Sequence, residues 1–140
     1  MILKEIKQDL FTVDGKYYLA HCISADCKLG AGIAIQFEKR FNLRKKLLFY
    51  DSEERAYPTC ILEDNVFNLI TKGYYYNKPT YQDFFYTLDK MKELIIDEKI
   101  KYIAMPKIGC GLDKLSWTEV RKYIIQIFEG LDLEILVCSI

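Results

Sequence analysis

Residues 106–116, Pro-Lys-Ile-Gly-Cys-Gly-Leu-Asp-Lys-Leu-Ser, follow an apolar run and carry two glycines and then a carboxylate. Gly109 and Gly111 free the backbone to approach a ligand closely, and Asp113 puts one acid beside them. Leu29-Gly-Ala-Gly-Ile-Ala has the same grammar, with a strand-like run before it, Gly30 and Gly32 in the turn and an apolar helical pattern after it. Two such turns in one small chain suit a pyrophosphate-sized anion held by backbone amides. Taken singly, each is also what a tight turn needs to pack a helix against its strand. The first turn has Ile35 where G-x-G-x-x-G needs its third glycine, and no G-x-x-x-x-G-K-[ST] loop occurs.

Lys72 ends the run Val66-Phe-Asn-Leu-Ile-Thr-Lys and so should reach the ligand-binding end of its strand. An ordinary lysine, with a pKa of about 10.4, is only about 0.1% neutral near physiological pH, so nucleophilic work demands burial or a partner that takes its proton. With Asp113 as that partner the two make chemical sense as a coupled pair; otherwise Lys72 is an ordinary solvated lysine. His21, the only histidine, lies in Leu19-Ala-His-Cys-Ile and is read as a satisfied core residue rather than a catalytic one. It and Cys22 point to opposite faces of a strand, which leaves Cys110 as a lesser nucleophile candidate or a small turn filler. One histidine and widely spaced cysteines lack zinc-ligand spacing, so no metal is expected, and no cofactor. Tyr74-Tyr-Tyr76 and Tyr81 follow Lys72, and either stack on a base or ribose or form a rim beside the core.

Short β-rich runs at about 2–6, 17–23, 57–62, 65–71, 101–105 and 132–138 alternate with helical patterns. A helix is expected from near Gly30, with Ile33, Phe37 and Phe41 on one stripe, and another over about 43–53. Thr80–Glu98 carries the stripe Phe84, Leu88, Met91, Ile95. Ser116-Trp-Thr-Glu119 reads as a capping box for a last helix that buries Trp117, Val120, Ile124 and Ile127 and stops at Gly130. Strands alternating with helices imply a single α/β domain over residues 1–140, with a mainly parallel sheet between helical layers. Ligands of such sheets bind beyond the carboxyl ends of the strands, where both glycine turns should face one crevice.

Lys plus Arg total 20 and Asp plus Glu total 20, so no global basic field exists to draw in an extended nucleic acid. The run Lys39-Arg40, Arg44-Lys45-Lys46 is read as a solvated helix face rather than a nucleic-acid patch. With 51% hydrophobic and 14% aromatic residues the chain is not disordered. Five cysteines, an odd number spread widely, in a chain that opens without a signal-like segment fit a reducing, cytoplasmic setting. No apolar run approaches the roughly 20 residues of a membrane span, so no membrane partner is expected.

Three segments in order resemble the macrodomain family, in its branch of terminal ADP-ribose protein glycohydrolases, which remove ADP-ribose linked as an ester to acidic side chains. Leu19-Ala-His-Cys-Ile-Ser-Ala-Asp-Cys-Lys-Leu-Gly-Ala-Gly-Ile-Ala is similar to that branch's first ligand loop. Leu69-Ile-Thr-Lys72 with Lys78-Pro-Thr-Tyr81 is similar to its middle segment, and Met105-Pro-Lys-Ile-Gly-Cys-Gly-Leu-Asp113 to its second loop. The resemblance implies a three-layer α/β/α fold with a mixed, mainly parallel central sheet. It implies a catalytic lysine and aspartate at the distal ribose, which fall on Lys72 and Asp113, with Ser24 near the same sugar. The turns Gly30-Ala31-Gly32 and Gly109-Cys110-Gly111 would hold the diphosphate, with Ile33, Ile108 and Leu112 as further ligand-binding residues. Asp9, followed by Leu10, sits where the family places an acid on the adenine amino group, although Gln8 replaces the usual preceding glycine. Gly73-Tyr-Tyr-Tyr also departs from the more basic run expected after the lysine.

The partners this implies are ADP-ribose and protein mono-ADP-ribosylated on Glu or Asp, handled by a monomer, with small O-acyl-ADP-ribose esters as further substrates. The rival readings are ADP-ribose on a DNA base, thymidine above all, as in similar antitoxin macrodomains, and a reader that binds ADP-ribose without chemistry. Keeping both Lys72 and Asp113 favours the enzyme, because binding needs neither.

Overall fold

Six runs rich in apolar and β-branched residues become strands: β1 (Ile2–Lys7), β2 (Tyr18–Ser24), β3 (Thr59–Glu63), β4 (Val66–Lys72), β5 (Tyr102–Met105) and β6 (Glu134–Ser139). The helices are α1 (Ala34–Phe41), α2 (Leu43–Leu47), α3 (Tyr81–Glu98) and α4 (Trp117–Ile127), with a 3-10 turn at Leu10–Thr12. The computed structural model describes all 140 residues and joins the strands in one sheet of order β1-β6-β5-β2-β4-β3. Every neighbouring pair is parallel except β3 with β4, a hairpin whose turn residues Asp64 and Asn65 both take positive φ. The carboxyl ends of β1, β2, β4, β5 and β6 therefore share one edge.

Alternate residues of each central strand face opposite helical layers. Ala20, Phe67, Leu69, Ile103, Met105, Ile135 and Val137 pack with Phe84, Leu88, Met91 and Ile95 of α3 and Val120 and Ile124 of α4. Leu19, Ile23, Val66, Ile70, Ala104 and Leu136 pack with Phe37 of α1 and Leu43 and Leu47 of α2. This is the expected three-layer α/β/α arrangement. Fully burying one such side chain contributes about 1.5–3 kcal/mol, so the α3 stripe alone pins that helix firmly.

Three local expectations are corrected. The first helix starts at Ala34 rather than near Gly30, because Gly32 sits at φ +59 and left-handed backbone cannot open an α-helix. The expected helix over 43–53 is only Leu43–Leu47, since Asp51 and Glu54 accept each other's amides and close a separate turn. Thr80 caps α3 by accepting from the Asp83 amide at 3.1 Å, but Ser116 makes no side-chain cap. The Ser116 amide that Glu119 would have taken donates instead to the Tyr81 hydroxyl at 2.8 Å. Trp117 and Ile127 are only half-buried, and the Trp117 ring N–H donates to Glu5.

Candidate active site

The site is built where β2, β4 and β5 end. Lys72, the last residue of β4, donates from Nζ to Asp113 Oδ1 at 2.7 Å, and both side chains are only 12% exposed. A pair this far withdrawn from water adds little net stability, because desolvation offsets the attraction, so its retention points to chemistry. At 2.7 Å the lysine proton can pass to the carboxylate directly, which couples the two as the sequence required.

Two loops flank the pair. The first, after β2, is held in strained backbone: Cys27 and Leu29 take φ of 56° and 50°, which for non-glycine residues costs on the order of 1–3 kcal/mol each. Burial of both side chains sustains this conformation. The second, after β5, meets the first directly, since a β-carbon on Gly32 would sit 3.4 Å from the Leu112 side chain. The amides of Gly30, Ala31, Gly32, Ile33, Gly111, Leu112 and Asp113 find no backbone acceptor, so two facing rows of N–H groups are free for an anion.

The glycines divide by role. Gly30 and Gly111 face open space, with nothing nearer than 3.9 Å and nothing within 4 Å respectively. Gly109 faces inward, at φ +75, and a β-carbon there would meet Phe84 at 2.8 Å and Leu115 at 3.0 Å. The core thus demands glycine at this position. The side chains of Leu10 and Ile108 likewise belong to the two cores, although the Leu10 amide lacks a backbone acceptor.

Asp9 follows β1 and accepts from the Phe11 amide at 2.9 Å. From β1 to β4 is four strand spacings of about 4.8 Å, so Asp9 and Lys72 lie about 19 Å apart along the carboxyl edge. That span suits an extended dinucleotide-like ligand lying across both loops. Ser24, almost fully buried, donates from its hydroxyl to Asp26.

Three residues of the site went unassigned in the sequence. Asp26 accepts from Ser24, from the Lys28 amide at 3.2 Å and from the Tyr75 amide at 3.0 Å, joining the first loop to the segment after Lys72. Arg55 donates to the carbonyls of Ala25 and Tyr50, bracing that loop from outside. Lys78 donates to the Leu112 carbonyl, tying the second loop down beside Asp113. Asp26 and Lys78 stand inside the recognised motifs, so their signal was there; Arg55 has none, being 30 residues from its partner Ala25.

The other candidates are inert. His21 is fully buried, stacked on Phe37 at 3.9 Å, with Nε2 2.7 Å from Asn68 Oδ1. Because the Asn68 amide already donates to Ile61 and Val66, its oxygen must accept, which fixes the proton on Nε2. His21 Nδ1 then has no partner, so this core histidine is only half satisfied. Burial lowers its pKa to about 4, keeping it neutral. Burial pushes the Cys22 thiol well up and raises that of Cys110, which donates to the Ile108 carbonyl at 3.3 Å, so neither is an activated nucleophile. Tyr81 packs on Phe85 with its hydroxyl engaged by Ser116, and so serves the second loop rather than a stacked base. No helix is long and apolar enough to cross a membrane.

Comparison with known proteins follows the geometry. ADP-ribose glycohydrolase OARD1 of Homo sapiens is 37% identical over 138 residues, covering 96% of this chain and 90% of that protein. The macrodomain of Thermus aquaticus DarG shares the fold with a TM-score of 0.87 at 20% identity, over 99% of each chain. Thermosipho africanus DarTG in complex with ADP-ribose matches with a TM-score of 0.79 at 17% identity, over 98% of this chain and 41% of that one. No family model matches the sequence.

Proposed function

The chain belongs to the macrodomain family, in its branch of terminal ADP-ribose glycohydrolases, and on that premise we propose that it frees ADP-ribose from ester linkages to acidic protein side chains and from small O-acyl esters. The observation that carries this reading is the Lys72–Asp113 pair, 2.7 Å apart and nearly closed to solvent at the carboxyl edge of the sheet. The two rows of free loop amides take the diphosphate, Asp9 takes the adenine end, and the distal ribose is delivered to Lys72.

Asp113 accepts the proton from the Lys72 ammonium, and the neutral amine attacks the anomeric carbon. The N–C bond forms as the bond from that carbon to the acyl oxygen breaks, and the carboxylate leaves with the bonding electrons. As water attacks the anomeric carbon of the lysyl-sugar adduct and the N–C bond breaks, Asp113 returns its proton to the departing Lys72 nitrogen; the carboxylate so regenerated takes a proton from the attacking water and passes it to solvent, which releases ADP-ribose and restores the ammonium–carboxylate pair. Every group in this scheme comes from one chain, which supports a monomer as the working unit. Five unpaired thiols support a reducing compartment such as the cytoplasm.

The test is to incubate the protein separately with glutamate-linked, serine-linked and thymidine-linked ADP-ribose. Release from the glutamate ester is expected. Release from thymidine alone would replace the substrate, and binding without release from any would leave a reader.

A further inference from the structure

Tyr74, Tyr75 and Tyr76 are 57%, 60% and 65% exposed, an unusual amount of aromatic surface for one turn. Their rings are nonetheless ordered. Tyr74 and Tyr76 stack at 5.5 Å with planes 9° apart, and Tyr75 meets Tyr76 edge-on at 5.4 Å. The backbone beneath is pinned, with the Tyr74 amide donating to Asn77 at 2.9 Å and the Tyr75 amide to Asp26 at 3.0 Å. Tyr57, itself half exposed, extends the patch, since its ring edge lies 3.2 Å from where a Gly73 β-carbon would be. Nothing within the fold needs this arrangement. It begins two residues after Lys72 and shares Asp26 with Ser24, since both the Tyr75 amide and the Ser24 hydroxyl donate to that carboxylate.

We infer that these four tyrosines are the surface on which the enzyme holds the polypeptide that carries the ADP-ribosylated acidic residue, so that the protein side of the ester is recognised as well as the nucleotide side. Rigid, amphipathic tyrosines give large contact area for little loss of conformational freedom, which is why they anchor protein interfaces. Charge decides between the two macromolecules an aromatic patch could take. The segment leading to Tyr57 carries exposed Asp51, Glu53 and Glu54, while its arginine, Arg55, is turned inward to Ala25. Of the lysines that flank the run, Lys72 is paired with Asp113 and Lys78 is held on the Leu112 carbonyl, while Asp26 lies directly under Tyr75, so these carboxylates disfavour a phosphodiester backbone and suit a peptide with lysine or arginine next to its modified glutamate.

The inference rests on the ester-hydrolase reading, and one design separates the two. With Lys72→Ala to prevent turnover, a lysine-flanked peptide ADP-ribosylated on glutamate should bind about tenfold more tightly than free ADP-ribose, and Tyr74→Ser/Tyr76→Ser should erase that margin while leaving free ADP-ribose affinity within about twofold. In the active background the same double substitution should lower kcat/KM on that peptide about tenfold, through KM, and leave turnover of O-acetyl-ADP-ribose unchanged. No margin for the peptide, a margin that survives the substitution, or a loss confined to a thymidine-linked oligonucleotide would each overturn the inference. A peptide margin in a protein that hydrolyses no ester would uphold the surface and defeat the activity.

Discussion

Two polar pairs involve the same central strand, and they behave as opposites. His21–Asn68 lies in mid-strand, fully buried, neutral and stacked on Phe37. Lys72–Asp113 lies four residues further along β4 from Asn68, at the strand's end, charged and 12% exposed. Depth along the strand makes the difference. In mid-sheet, desolvation removes the charge and leaves a hydrogen bond that specifies packing. At the carboxyl edge a charge survives because a partner from the loop after β5 meets it, and a ligand can reach it.

The sharpest way to break this contrast is Lys72→Ala. Hydrolysis of glutamate-linked ADP-ribose should fall by about 10³-fold or more while ADP-ribose affinity, measured by calorimetry, stays within a few-fold. Retained turnover would remove the lysine from the mechanism. Asp113→Ala should slow turnover by about 10²-fold and trap the lysyl-sugar adduct, visible as added mass on the intact protein. An unadducted protein under turnover conditions would argue that Asp113 does not resolve the intermediate.

The inert pair is tested by pH. His21 has a folded pKa of about 4 against about 6.5 unfolded, so the unfolded chain binds the extra proton between those values. The stability this preserves is fully present above about pH 6.5 and is lost as pH falls towards 4, by up to about 3 kcal/mol. The denaturant midpoint of wild type should fall relative to that of His21→Phe as pH falls through this window, and parallel curves would refute the assignment. Within the second loop, Gly109→Ala should cost about 2 kcal/mol of stability, since φ is +75 and Phe84 stands at 2.8 Å. Gly111→Ala should leave the melting temperature almost unmoved and weaken ADP-ribose binding a few-fold. Equal effects of the two would show that the glycines do not divide between core and ligand.

Much of the fold was legible locally. Strand runs, the α3 stripe and the Thr80 cap depend on neighbours within a few residues, and each stands within a residue or two of its expected place. The shortened first helices have local causes, in Gly32 and in the Asp51–Glu54 turn, but other features depend on a distant group. Tyr81 displaced Glu119 at the Ser116 amide, and Phe84 closes the space that a Gly109 β-carbon would fill. Neither partner is adjacent in sequence, so neither leaves a periodic trace.

The sequence by itself determined that two glycine turns, a strand-ending lysine and a single downstream carboxylate exist, and that strands alternating with helices would put them on one edge, because backbone freedom, periodicity and chain order are local properties. Only the tertiary structure decided that Lys72 and Asp113, 41 positions apart, meet at 2.7 Å. It also decided that Asp26, Arg55 and Lys78 hold the loops around them, and that the tyrosine run faces outward as ordered surface. Those outcomes depend on parallel strand order and on which groups lose water together, and neither is written in any single segment of the chain.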